Sequence, residues 1–394
     1  MPPLILILAT LAVGDGVPND ASGPSETPSP SDGEVFLARL RHARDLLADA
    51  DIGTAKLGGA HAVLAVWHPD RPDDIRLVRL LDGRSRTSGF SVKLIIQNGV
   101  NSLYEVVEPA GYVVLASKTN VWDTRRRVCR TVKAKRSRRA IRHCDWIGRT
   151  KGVVYTPYSA ALDRPELTAM GRLYLEQLVA RAAERLEKAG VTSLADPDFT
   201  VPAMISPRVL LTLMVIEHIT PDEFDIRGDK AMTDQVFALV GANGDGTFDY
   251  SFSRAGAGGL TQFIPSTYRL TRGRYSAAKL LADFTAGMRD HENAVMAQYC
   301  LADWSLAALS PAEYLRLSEN DEDLGAFLAA AYNGGENGAV AALRRDRRRW
   351  EEPGRGLKRE TVRYVREFRQ VYRLLGTTET GQPAAPPAVP PPAP

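Results

Sequence analysis

Apolar and polar positions recur with two different periods along this chain, and the change of period near residue 160 predicts two structural units. Between residues 34 and 50, Phe36, Leu37, Leu40 and Leu47 return at helical spacing and predict an amphipathic first helix. Short runs rich in β-branched and aromatic residues follow at 61–67, 75–81, 90–97, 103–107, 112–116 and 128–132, and these read as strands. Asn98-Gly99 between two of the runs fits a type I′ turn, whose two central residues both take positive φ. Residues 34–160 are therefore expected to form a small α+β module.

Residues 163–190 carry a full set of helix signals: Asp163 as N-cap, Pro165 in the first turn, Glu166 three residues after the cap and Gly190 past the end. Leu167, Met170, Tyr174, Leu178, Ala182 and Leu186 form its apolar stripe, and the helix is expected to connect the two units within residues 161–202. Beyond Pro202 the pattern is one of successive helices without a strand, which predicts an all-helical unit over 203–376. The ends differ in kind. Residues 1–14 hold an apolar stretch too short to span a bilayer and resemble a signal-peptide core, with Ala12-Val13-Gly14 as a small-x-small cleavage site. Residues 15–33, rich in Pro, Ser, Gly and Asp, read as a disordered linker, and residues 377–394 as a Pro-rich tail.

Composition adds little to this picture until it is taken locally. A length of 394 residues suits two domains, and 44% hydrophobic with 25% charged residues is ordinary for a globular protein. The formal charge of +3 is nearly balanced, yet residues 125–142 alone carry ten Lys or Arg. Clustered cations attract phosphate, but the export signal and the scarcity of aromatic stacking residues in the run argue against a nucleic-acid partner. A solvated hairpin face is the default reading, and attraction to acidic envelope polymers or an anionic membrane surface is the functional option. Cys129 and Cys144 lie symmetrically about the basic turn Lys135-Arg136-Ser137-Arg138, so a hairpin centred there sets them across from each other for a disulfide, which export permits. Cys300 reads as a buried small hydrophobe. No pattern calls for a metal or cofactor: the segment from Asn243 to Asp249 looks like the middle of a calcium loop but lacks its first and twelfth carboxylates, where Gly241 and Phe252 stand.

Glu217 follows an apolar run, Val209 to Ile216, interrupted only by Thr212, and a carboxyl held at the dry end of a helix keeps its proton near neutral pH, as a general acid requires. Three further segments follow in order: Gly258-Gly259-Leu260-Thr261-Gln262, then Ala331-Tyr332-Asn333-Gly334-Gly335, then Glu360-Thr361-Val362-Arg363-Tyr364. Over roughly residues 203–375 this order resembles the lysozyme-like lytic transglycosylases of the soluble murein type. Three departures from that family stand out. His218 follows the acid where the family has Ser, Thr261 replaces Met before the Gln, and Gly334 replaces Ala after the Asn. The connection from Thr220 to Ser253 is also longer than usual and is expected to be an added loop at the cleft rim.

The resemblance implies a lysozyme-like helical fold in which Glu217 is the single catalytic residue. It also implies that Gln262, Tyr332 and Asn333 hold the glycan, that the backbone of Gly258 and Gly259 approaches the sugar, and that Glu360 and Tyr364 lie near the cleft. The implied reaction cleaves the MurNAc-GlcNAc β-1,4 bond, with the muramoyl C6 hydroxyl as internal nucleophile and a 1,6-anhydro end as product. Most glycoside hydrolases need a second carboxylate; Asp222, Asp245 and Asp249 are the candidates nearest in sequence. A hydrolytic muramidase and a catalytically silent murein-binding or assembly protein remain alternatives. Expected partners are peptidoglycan glycan strands and, through the first module, envelope or secretion-machine proteins, in a periplasmic or extracellular setting.

Overall fold

The computed structural model describes residues 32–53, 61–133, 140–253 and 255–377. The signal-like segment, nearly all of the linker, the basic turn at 135–138 and the tail beyond Thr377 lie outside the described residues. Within them the chain is mixed α+β, with twelve α-helices and a five-stranded antiparallel sheet.

The first helix, α1 (Asp32–Asp49), forms because Phe36, Leu40, Ala43 and Leu47 share one face, and all four are buried. The strands are β1 (Ala62–His68), β2 (Arg71–Leu81), β3 (Arg84–Ser85), β4 (Ser91–Ile96), β5 (Leu103–Glu108), β6 (Val113–Lys133) and β7 (Ala140–Tyr155). They pair in the order β3-β2-β1-β6-β7, with β4 and β5 as a separate pair. Strand β1 is apolar on both faces because each face has a partner. Val63, Ala65 and Trp67 join the α1 core, Phe36 meeting Trp67 edge-on at 6.0 Å, while Ala62, Leu64 and Val66 pack with Val78, Leu80, Val92 and Tyr104.

Two local expectations are corrected here. Asn98 has φ −141° and only Gly99 is positive, so β4 and β5 are joined by a longer loop with a 3₁₀ turn at Gly99–Asn101 in place of a two-residue type I′ turn. Ser102 Oγ closes that loop, accepting from Asn98 N at 2.9 Å and donating to Gly99 O at 2.8 Å. The runs expected at 112–116 and 128–132 are both part of β6, and the partner that the expected hairpin sets across from Cys129 is β7. Both strands extend far past β1 as a two-stranded ribbon, where no buried face imposes an alternation that a sequence could display. In that ribbon Cys129 pairs with Cys144 in register, and a disulfide joins them at a Cα separation of 4.0 Å.

The helical part contains α2 (Pro165–Lys188), α3 (Pro207–Ile216), α4 (Pro221–Arg227), α5 (Asp229–Asn243), α6 (Pro265–Arg274), α7 (Phe284–Arg289), α8 (His291–Leu306), α9 (Pro311–Ser318), α10 (Asp321–Gly334), α11 (Glu336–Arg345) and α12 (Arg359–Leu375). Helix α2 packs into the helical core. It crosses α5 backbone to backbone: a Cβ on Gly171 would fall 1.8 Å from Phe237 O, and one on Gly241 would fall 2.1 Å from Leu167 O. That approach rotates the buried stripe onto Leu167, Gly171, Leu175, Leu178, Ala182 and Leu186, leaving Met170 48% exposed. The N-cap is Arg164, not Asp163, whose Oδ1 instead accepts from Tyr158 Oη at 2.6 Å. Residues 220–243, expected as part of a rim loop, are α4 and the core helix α5, in which Val236, Phe237, Leu239 and Val240 are buried.

Asn243 locks the sheet module to this helical core. Its Oδ1 accepts from Arg44 Nη1 of α1 at 3.0 Å and from Thr156 N just after β7 at 2.8 Å, while Nδ2 donates to Thr156 O at 2.9 Å and Leu239 O at 3.0 Å. The side chain is buried and its amide is fully used on both sides. Asn243→Ala leaves several buried polar groups without partners, and we expect it to cost about 2–4 kcal/mol in chemical denaturation. An unchanged denaturation midpoint would show that the two parts hold together by apolar contact alone.

Candidate functional site

Helix α3 starts at Pro207, whose missing N–H costs nothing at a first helical position. From Val209 to Ile216 every residue is buried, so the helix runs inside the core and delivers its C-cap, Glu217, to the edge of that core. Glu217 N still donates to Leu213 O at 3.2 Å, which fixes the residue at the helix end. The side chain keeps a partly exposed edge. Burial pushes its carboxyl pKa up to about 7, against the opposing effect of Tyr364 Oη, which donates a hydrogen bond to Oε1.

The four segments singled out in the sequence meet here in a closed circuit of hydrogen bonds. Tyr364 donates to Glu217. His218, next to the acid, donates from Nε2 to Leu260 O at 2.8 Å. Tyr332 Oη donates to the carbonyl of the adjacent Thr261. Thr361 Oγ1 donates to Asn333 Oδ1 at 2.8 Å, which returns the circuit to α12 and Tyr364. Acid, glycine turn, Tyr-Asn pair and the last helix are therefore one unit, although 147 residues separate Glu217 from Tyr364. Both phenols are held well above their usual pKa by burial and then by the Glu217 charge, so they stay neutral donors.

His218 acts on the turn, not on the carboxyl. Burial lowers its pKa to about 4, so the ring is neutral, and it stacks on Phe248 at 3.5 Å with nearly parallel planes. Phe248 adopts φ +64°, a backbone region that a bulky L-residue enters only at a cost on the order of 1 kcal/mol or more. The stack to His218 gives that conformation a structural reason.

The remaining expected site residues divide. Gln262 lies in the turn at φ +49°, half-buried, and its Nε2 donates to Gly259 O at 2.7 Å and Ser251 O at 3.3 Å, so the amide nitrogen braces the turn itself. Gly258 and Gly259 are both buried, with Phe252 Cε1 2.2 Å from a Cβ on Gly258 and Met288 O 2.4 Å from one on Gly259, so their missing side chains make room for Phe252 and Met288. Glu360 is exposed in the first turn of α12, one residue ahead of Thr361, whereas Tyr364 is buried, so the two differ in environment despite their spacing. The outer side of α12 is an ion-pair surface: Arg363 meets Asp222 at 3.2 Å and Asp225 at 3.1 Å, and Arg369 meets Glu322, Asp323 and Glu351.

None of the three acids considered as second carboxylates joins the circuit. Asp222 is bound to Arg363 on the exterior and Asp245 is exposed in a 3₁₀ turn. Asp249 belongs to a separate cluster, its Oδ1 3.7 Å from His291 Nε2 and without a hydrogen bond, and burial pushes its pKa up to about 7. His291 in turn bonds Thr247 O and Tyr174 Oη, both at 2.8 Å, and burial lowers its pKa. A cavity of about 670 Å³ lies elsewhere, lined by Arg164, Thr168, Arg172, Arg227, Lys230 and Leu375 among others, and no member of the Glu217 circuit lines it. Among the described residues no group of three His, Cys, Asp or Glu is arranged to hold a metal ion, and no helix is long and apolar enough to cross a membrane.

Thr361, Phe248 and the backbone carbonyls of Leu260 and Thr261 were not anticipated as parts of the site. Thr361 was within reach, since it sits inside the last motif. Phe248 carried no sequence signal, and a carbonyl is the same at every position. No family model matches this chain, and no curated protein or solved structure matches it either.

Proposed function

We propose that the helical part is a lysozyme-like lytic transglycosylase that cleaves the MurNAc-GlcNAc β-1,4 bond of exported-compartment peptidoglycan. The observation that carries this reading is the circuit itself: an acid protonated near neutrality, unpaired with any cation among the described residues, tied to the three other motif segments by side-chain hydrogen bonds. Protonated Glu217 donates to the glycosidic oxygen as the bond to C1 breaks. The resulting carboxylate accepts the proton of the muramoyl C6 hydroxyl as that oxygen bonds to C1, so the acid returns to its starting state and no water is consumed. Because the nucleophile belongs to the same sugar, proximity replaces the second carboxylate. The absence of Asp222, Asp245 and Asp249 from the circuit favours this route over a hydrolytic muramidase.

Digesting purified murein sacculi in heavy-oxygen water separates the two. Transglycosylation gives anhydro ends with no label, lighter by one water than hydrolytic ends. Labelled reducing ends would assign a muramidase, and no soluble product would leave a binding role. Tyr364→Phe provides a second check. Its hydroxyl stabilises the ionised form of Glu217, so removing it raises the carboxyl pKa further and moves the alkaline limb of the pH–activity profile to higher pH. The rate at the optimum is expected to fall roughly ten- to a hundredfold as the carboxyl loses its positioning bond. A profile that keeps its limb would separate Tyr364 from the acid.

A further inference from the structure

We propose that the outer part of the β6–β7 ribbon is a docking arm for an anionic lipid bilayer surface. Beyond the pair Asn120↔Gly152, β6 and β7 pair as strands only with each other among the described residues, through Lys133↔Ala140, an arm about 40 Å long at the usual rise per residue. Charge is concentrated there. Residues 120–152 hold twelve Lys or Arg against Asp123 and Asp145, a formal +10, so the rest of the chain carries −7 of the total +3. The two acids are already engaged: Asp145 with His143 at 3.0 Å and Arg130 at 3.6 Å, Asp123 with Arg149 at 3.4 Å.

Charge alone would suit any polyanion; the apolar positions choose among them. Val128 and Ile147 are exposed, 38% and 41%, where a free ribbon gains nothing internally from carrying them. Val128 pairs with Asp145 and Ile147 with Arg126, two positions along in register, so both fall on one face of the ribbon, with Arg130 and His143 next in the same phase. Branched aliphatics between arginines match the boundary of headgroup and acyl chain, where hydrocarbon receives the one and phosphate the other. A nucleic acid or an anionic glycopolymer offers no place for them. The Cys129–Cys144 bridge, in the alternate phase on the opposite face, holds the register of the two strands across the middle of the arm. This assignment is independent of the reaction proposed above.

The full-length oxidised protein should co-sediment with phosphatidylcholine vesicles containing phosphatidylglycerol at low salt, at least about tenfold more strongly than with pure phosphatidylcholine, and less strongly at high salt. Val128→Ser combined with Ile147→Ser should lower the partition coefficient roughly tenfold, since the hydrocarbon contribution is lost while the charge is kept. Arg130→Glu with Arg142→Glu should abolish the preference for anionic lipid. Equal partition into both vesicle types would overturn the assignment. So would a serine variant that binds as tightly as the parent, or a duplex DNA that binds parent and serine variant alike and more tightly than the anionic vesicles do.

Discussion

Glu217→Gln should reduce the release of soluble fragments from murein sacculi by about two to four orders of magnitude, the usual contribution of a positioned general acid. Gln keeps the shape and can still accept from Tyr364, so only the proton is removed. The same variant should be more stable than the parent at alkaline pH. A carboxyl whose folded pKa is raised to about 7 costs stability as pH climbs from the ordinary carboxyl range through 7, because the native state must then hold a buried charge. Gln escapes that cost. We expect the variant to gain on the order of 2 kcal/mol above neutrality and nothing at acid pH, where both side chains are neutral. Inactivity with enhanced alkaline stability is a combination that misfolding cannot imitate. Equal activity in parent and variant would remove Glu217 from the chemistry.

The largest structural effect is expected at the α2–α5 crossing. Helix propensity favours Ala over Gly by about 1 kcal/mol, yet a methyl at position 171 would lie 1.8 Å from Phe237 O and 2.8 Å from Gly241 N, backbone atoms that cannot turn aside. The helices must separate, and Gly171→Ala should destabilise by about 3 kcal/mol in chemical denaturation. Gly273→Ala makes the control, since a Cβ there meets nothing within 4 Å in α6; it should be neutral or stabilising by up to about 1 kcal/mol. Equal effects at both positions would mean that α2 and α5 do not cross this closely in solution.

Which parts of the fold could be read in advance follows from where a side chain's environment is asymmetric. Helix α1 has one wet and one dry face, so Phe36, Leu40 and Leu47 announce it. Helix α3 buries every residue from Val209 to Ile216, and that run, apolar but for Thr212 and ended by an acid, is equally legible. Strand β7 lacks both marks: from Arg142 to Lys151 it is exposed or half-exposed wherever described, so selection for a face left no period. Helix α5 was mistaken for part of a loop because its length was judged against a family spacing, while its run Val236 to Val240 stated burial directly.

At the site, the acid and both tyrosines were visible as residue types, but their joining was not. Two of the four hydrogen bonds in the circuit end on backbone carbonyls, those of Leu260 and Thr261, which every sequence supplies. The glycines illustrate the complementary failure. A missing side chain signals that something approaches closely, and sequence has no means of telling a ligand from Phe252 or Met288.

Everything chemical rests on Glu217 holding a proton near neutrality while it stands in that circuit. A titration of carbon-labelled glutamate by NMR, with the Glu217→Gln spectrum subtracted to assign the resonance, reads this directly in the whole protein. The expected midpoint for Glu217 is about 7. A midpoint in the ordinary carboxyl range would mean that the group is hydrated and ionised at neutral pH, and a single-acid glycosidic cleavage at this position would be contradicted.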